Sequence, residues 1–176
     1  AYDELDDVPP GTEVKDAGEI MPRDSIFQFH TGSYAMFADT FRIHLLLRHG
    51  GWWCDLDMIC LRPFDLPEEI VLITEPADGY ASAVLTNGIM KFPPHSPFGE
   101  KCLEFLDKVD NETNQEWVLT NRTMLEHVVP EMNGEQWVKP PEYFSPLFWG
   151  EATPTFTDER HVRSGRKLLK NRKTYT

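Results

Sequence analysis

Apolar residues crowd residues 33–49 at helical spacing. Tyr34, Phe37, Ala38, Phe41 and Leu45 fall at i, i+3, i+4, i+7 and i+11 and predict a helix with one buried stripe. Ser33 offers an N-cap hydroxyl and Gly50 a C-terminal stop. A short strand is expected near 52–55, then a turn at Asp55 to Asp57 and an extended piece through Leu61. Residues 70–74 read as a strand, and 81–92 as extended segments broken at Asn87-Gly88, the pair favoured in two-residue hairpins. Ser96-Pro97 signals a cap and first turn for a helix that carries Phe98, Cys102, Leu106 and Val109 inward. A further helix over 115–129 is expected to bury Trp117, Met124, Leu125 and Val128. Pro140, Pro141 and Pro146 mark a loop holding Tyr143, Phe144, Phe148 and Trp149. Strands interleaved with helices imply an α/β fold.

Composition sets the frame. A chain of 176 residues with 40% hydrophobic content can bury one good core, so one domain over 1–176 is expected. No stretch approaches the roughly 20 apolar residues of a membrane span, and no signal segment opens the chain, which predicts a cytoplasmic location. Cys54, Cys60 and Cys102 are an odd number without a C-x-x-C pair, so buried thiols are expected rather than a disulfide framework or a zinc site. Residues 1–157 carry 10 basic and 27 acidic side chains, a net of −17, whereas residues 158–176 carry 7 and 2, a net of +5. So acidic a body excludes nucleic acid as a partner. The basic tail reads as the solvated face of a terminal helix over 158–176, its alternative being peripheral contact with an anionic leaflet or a lipid-pyrophosphate acceptor. Asn111-Glu-Thr113 and Asn121-Arg-Thr123 match the N-glycosylation pattern, which matters only in a secreted context.

The chemistry concentrates between Asp39 and Asp57. In extended backbone Asp55 and Asp57 would point to one side and could share a hard divalent cation, Mn²⁺ or Mg²⁺, whose shell water and substrate phosphates complete. Asp39 and Arg42 lie one turn apart on an otherwise apolar helix, where a charged pair needs a polar reason. A sugar offers one, because its hydroxyls can be held by an acceptor and a fork of donors together. Trp53 reads as core or as a surface for stacking on a nucleotide, and His95 as a surface-loop histidine.

These residues resemble a known family. A small residue, Asp, two residues, Arg, a hydrophobic helix, Gly-Gly, an aromatic and Asp-x-Asp form the signature of the DXD-containing sugar glycosyltransferases of family 32, relatives of yeast α-mannosyltransferases, α-1,4-galactosyltransferases and clostridial toxin glucosyltransferase domains. Ala38, Asp39, Arg42, Gly50, Gly51, Trp53, Asp55 and Asp57 fill those slots with that spacing. The likeness is close over 33–65 and looser over 2–22 and 85–106. It implies a glycosyltransferase-A fold, a mixed sheet flanked by helices that binds nucleotide-diphospho-sugars. The implied activity is retaining transfer of a hexose from a UDP- or GDP-sugar to a glycan or lipid-linked acceptor. Asp57 would be the main metal ligand, Asp55 would bridge metal and donor, and Asp39 and Arg42 would hold the donor sugar. Family members often place an Asn near the donor in the segment that Leu85-Thr-Asn-Gly-Ile-Met-Lys resembles, so Asn87 has both a sugar-contacting and a turn-forming reading.

An opening Ile-Pro-Lys-x-Ile-His strand and a late His-x-x-Trp, both usual in the family, are not found, which reads as truncation at both ends. Two other classes compete: a haloacid-dehalogenase-type phosphatase using the Asp-x-Asp pair, which needs a Thr or Val soon after it where this chain has Met58, and a non-catalytic sugar-binding homologue. No general base is evident beyond the metal carboxylates, although Lys91, Glu75 and His95 are open to that role.

Overall fold

The computed structural model describes residues 1–28, 32–77, 81–109, 117–148, 150 and 174–176. Its elements are helix α1 (Ala35–His49), strand β1 (Gly51–Cys54), strands β2 (Val71–Ala77) and β3 (Ser82–Phe92), helices α2 (Pro97–Leu106) and α3 (Trp117–Glu131), and the short strand β4 (Val138–Lys139). They build a mixed α/β unit, consistent with the glycosyltransferase-A arrangement. The sheet order is β1-β3-β2-β4, with β3 antiparallel to both neighbours and β4 parallel to β2.

Strand alternation divides the core into two layers. Leu72 and Met90 face the helices and join Ile43, Leu46, Phe98 and Met124 in the larger cluster. Their neighbours Val71, Ile73 and Ile89 face the other way, against Phe144, Tyr175 and the flanking Trp52. Full burial of each such side chain contributes roughly 1.5–3 kcal/mol.

Several local expectations are corrected. Asn87-Gly88 is not a hairpin turn: β3 runs unbroken through it. Instead, one step along β2, from Leu72 to Ile73, moves the β3 partner from Met90 to Thr86, so Asn87, Gly88 and Ile89 have no partner on β2. On the other edge of β3, β1 pairs Cys54 with Ile89, and the Asp55 N–H donates to the Gly88 carbonyl at 2.8 Å. The Asn-Gly pair lies in a bulge against β2, beside the end of β1.

The helix also presents a different face. Met36, Asp39, Arg42, Ile43 and Leu46 are buried together with Phe37, while Tyr34 is exposed and Phe41 and Leu45 are half-buried. The helix is apolar nearly all round, so hydrophobicity alone does not choose its inner face. The expected stripe is covered by the irregular entry segment, with the Tyr2 ring 6.1 Å from both Phe37 and Phe41. The expected N-cap is also displaced: Tyr34 holds that position without a side-chain cap, and the Ser33 hydroxyl, one residue earlier, accepts from the Ala35 N–H at 3.1 Å. Gly50 ends α1 at φ +65°, where a β-carbon would lie 2.5 Å from Pro94 Cδ.

Cys102 is buried as expected, whereas Cys54 and Cys60 are exposed because they lie at the sheet edge and in the loop beyond it. Residues 158–173 of the expected basic helix lie outside the described residues, as do Trp149 and the side chain of Trp117. Residues 174–176 are not helical. Tyr175 is instead tied in on both sides, its N–H donating to Tyr143 O at 2.6 Å and its carbonyl accepting from the Leu61 N–H at 2.8 Å. Its ring stacks on Phe144 at 5.0 Å, and its hydroxyl donates to Asp65 Oδ1 at 2.6 Å.

Candidate active site

The buried polar face of α1 meets the bulge of β3. The Arg42 guanidinium donates from Nη1 to two oxygens of Asn87, the carbonyl at 2.9 Å and Oδ1 at 2.7 Å. The Asn87 amide in turn donates from Nδ2 to Asp39 Oδ1 at 2.9 Å. Arg42 Nη2 lies 3.5 Å from that same Asp39 oxygen, and Nε donates to the Ala38 carbonyl at 3.3 Å. Asp39, Arg42 and Asn87 are only 5%, 7% and 2% exposed, so the trio is a fully built internal network rather than a surface ion pair. The polar requirement of the Asp39–Arg42 pair is met first by Asn87.

Strand β1 joins the network from the other side. Trp53 slides beneath Arg42, whose Cζ lies 4.8 Å from the indole centroid, and its Nε1–H donates to Asp55 Oδ1 at 2.7 Å. Asp55 Oδ1 is also 3.3 Å from Arg42 Nη1. Arg42 therefore neutralises two carboxylates at once. Asp55 and Asp57 do not share a strand face, because β1 ends at Cys54 and the two acids lie in a turn closed by Met58 N–H to Asp55 O at 3.4 Å. Asp57 is exposed and makes no hydrogen bond or ion pair among the described residues. Gly88 leaves room beside Asp55: a β-carbon there would be 3.2 Å from Oδ2 and 3.3 Å from Met58 Cε.

Burial pushes the Asp39 carboxyl above the usual carboxylate range, the Arg42 charge and the Asn87 hydrogen bond pull it partly back, and Asp55 pushes it up again. The network opens on a cleft of about 580 Å³, lined by Asp39, Arg42, Asp55 and Asn87 and also by Glu75 of β2 and Arg122 of α3. That volume is ample for a sugar-sized ligand.

The sequence-derived residues Asp39, Arg42, Trp53, Asp55 and Asn87 are brought together, with Asp57 two residues along the turn. Asn121 was missed as a site residue. Its Nδ2 donates to Asn87 Oδ1 from the first half of α3, so the asparagine of the Asn121-Arg-Thr123 triplet belongs to the network. The only sequence signal was a polar residue one step from the helix's apolar run. Of the three side chains open to a general-base role, Lys91 donates to Leu66 O at 2.9 Å beside Trp52, and His95 is an exposed loop residue. Glu75 alone of the three lines the cleft.

The donor set fits a hard divalent cation. Among the described residues no group of three or more His, Cys, Asp or Glu is gathered, so protein ligation would come from the two carboxylates of one turn, with water and phosphate oxygens filling the remaining positions.

Comparison with known proteins finds likenesses over this part of the chain. Residues 12–75, which run from the entry segment through α1, β1 and the Asp55–Asp57 turn into β2, match the family described as "Glycosyltransferase sugar-binding region containing DXD motif". This part of the chain is thus similar to the sugar-binding region of DXD-type glycosyltransferases. Alpha-1,4-N-acetylglucosaminyltransferase of Homo sapiens is 37% identical over 67 residues. That match covers 38% of this chain and 18% of the relative, so the chain spans less than a fifth of the relative it matches.

Proposed function

We propose that the protein is a metal-dependent retaining glycosyltransferase that moves a hexose from a nucleotide diphosphate sugar to a glycan or lipid-linked acceptor. The observation that carries this reading is the closed network of Asp39, Arg42 and Asn87 on the cleft wall, joined through Arg42 to the Asp55–Asp57 turn. It joins a sugar-binding wall to a phosphate-binding corner.

Asp57, exposed and without a protein partner among the described residues, is the principal ligand for Mn²⁺ or Mg²⁺, and Asp55 contributes the oxygen not taken by Trp53 and Arg42. The cation supplies charge neutralisation for the departing diphosphate. Asp39 and the Asn87 amide present acceptor and donor groups to the hydroxyls of the hexose, and Arg42 holds both in place. Trp53 keeps the guanidinium flat against β1. In the transfer the bond from the anomeric carbon to the diphosphate oxygen breaks, a bond to the acceptor oxygen forms on the same face, and the acceptor's proton passes to the diphosphate. Such chemistry depends on positioning and electrostatics more than on protein acids and bases.

Calorimetric titration with UDP- and GDP-hexoses, with and without Mn²⁺ or Mg²⁺, tests the proposal. Saturable binding that is lost in chelator and in Asp57→Ala is expected, and an α-linked product from an α-linked donor, read from its anomeric proton signal. Saturable binding of none of these donors would overturn it.

A further inference from the structure

Glu75 is a carboxylate without an evident structural reason. It sits in β2 opposite Val84, is half-buried, and makes no hydrogen bond or ion pair among the described residues. Burial alone pushes its carboxyl above the usual range. Native structures pair such groups or use them. It lines the same cleft as Asp39 and Asn87, but not the same part of it.

The register measures the separation. Glu75 is level with Val84, and Asn87 lies three residues further along β3, about 10 Å at the rise of an extended strand. That exceeds the reach of one pyranose ring seated against Asn87. Leu85 and Thr86, which follow Val84 toward Asn87, also line the cleft, as does Arg122 from α3.

We infer that the Glu75 end of the cleft is the subsite for the acceptor's terminal sugar, with the Glu75 carboxylate accepting a hydrogen bond from one of its hydroxyls. This rests on the glycosyltransferase reading and deepens it. The role is to bind and orient the incoming sugar, and no proton is transferred to Glu75.

The test uses saturation-transfer NMR with the methyl α-glycosides of glucose, galactose and mannose, in the presence of UDP or GDP and Mg²⁺, beside calorimetric titration of the matching nucleotide sugars. Glu75→Gln is expected to cut the saturation transfer to the bound glycoside at least fivefold while nucleotide-sugar affinity stays within twofold. Asp39→Asn is expected to do the reverse. If wild type binds nucleotide sugars but saturates no glycoside, or if Glu75→Gln weakens both ligands equally or neither, the acceptor assignment is overturned. Failure of the wild type to bind any nucleotide sugar would instead strike the glycosyltransferase reading itself. A thermal melt of Glu75→Gln at pH 7 verifies that the variant is folded.

Discussion

Replacing Arg42 with methionine keeps much of its volume and deletes its charge, which isolates what the guanidinium contributes. In the native structure that group satisfies two Asn87 oxygens, lies 3.5 Å from Asp39 and 3.3 Å from Asp55, and covers Trp53. Hydrogen bonds to charged groups contribute about 1.5–3 kcal/mol each, but the two to Asn87 share one partner and cannot be summed. The dominant cost is the Asp39 carboxylate left buried without its counter-charge, and removal of one member of a buried pair costs about 3–5 kcal/mol. For a chain of this size that corresponds to a loss in Tm on the order of 10 °C. Urea unfolding followed by tryptophan fluorescence measures it. The pH dependence has a definite sign. Asp39 is already raised by burial, and without Arg42 it rises further. The folded variant then binds a proton more readily than its unfolded chain, so its deficit relative to wild type is full at neutral pH and shrinks as pH falls through the raised Asp39 value. The double variant Asp39→Asn/Arg42→Met should recover at least about 1 kcal/mol over Arg42→Met alone, since the orphaned charge is gone. A loss below about 1 kcal/mol, or a double variant as unstable as the sum of the singles, would refute the network as described.

Glu75→Gln should raise Tm at neutral pH. Glu75 is raised in the folded state, so its ionised form costs stability above its unfolded value, and the gain should vanish in scans below about pH 4. Asp57→Asn should leave urea stability within about 0.5 kcal/mol, as for other exposed unpaired positions, while removing the metal dependence of nucleotide-sugar binding. Gly50→Ala forces a β-carbon against Pro94 at a left-handed φ and should destabilise by more than about 1 kcal/mol in the same urea assay.

The parts of the fold that follow from short-range rules were legible in the sequence. The Ser96-Pro97 start of α2, with Phe98, Cys102 and Leu106 buried although Val109 lies beyond its end, is one, and the strand expected at 70–74 and found at Val71–Ala77 is another. The spacing of Asp39, Arg42, Trp53 and Asp55 was legible because α1 and β1 are adjacent and the Gly50-Gly51 joint holds them close. Less was legible where two physical preferences coincide. An Asn-Gly pair satisfies a hairpin and a bulge equally well locally, and only the partnering of β3 with both β1 and β2 decides between them. The inner face of α1 could not be read from apolar spacing because both faces are apolar, and a polar contact from 45 residues away selects it. Asn121 comes from a helix remote in the chain, and no local pattern ties an amide there to Asn87.

The bulge in β3 has a consequence for engineering donor choice. Asn87, which faces the proposed sugar wall, and Gly88, which carries the backbone bond to Asp55 and the space for its carboxylate, are consecutive residues. Insertion or deletion of a single residue there would invert the faces of the rest of the strand and disconnect Asn87 and Asp55 from the network together. On the function proposed above, sugar preference and metal affinity would be inherited as one module. A specificity loop transplanted from a relative would have to bring Asn87, Gly88 and the Arg42 that braces them as a block, and grafts that break between them should lose both traits at once.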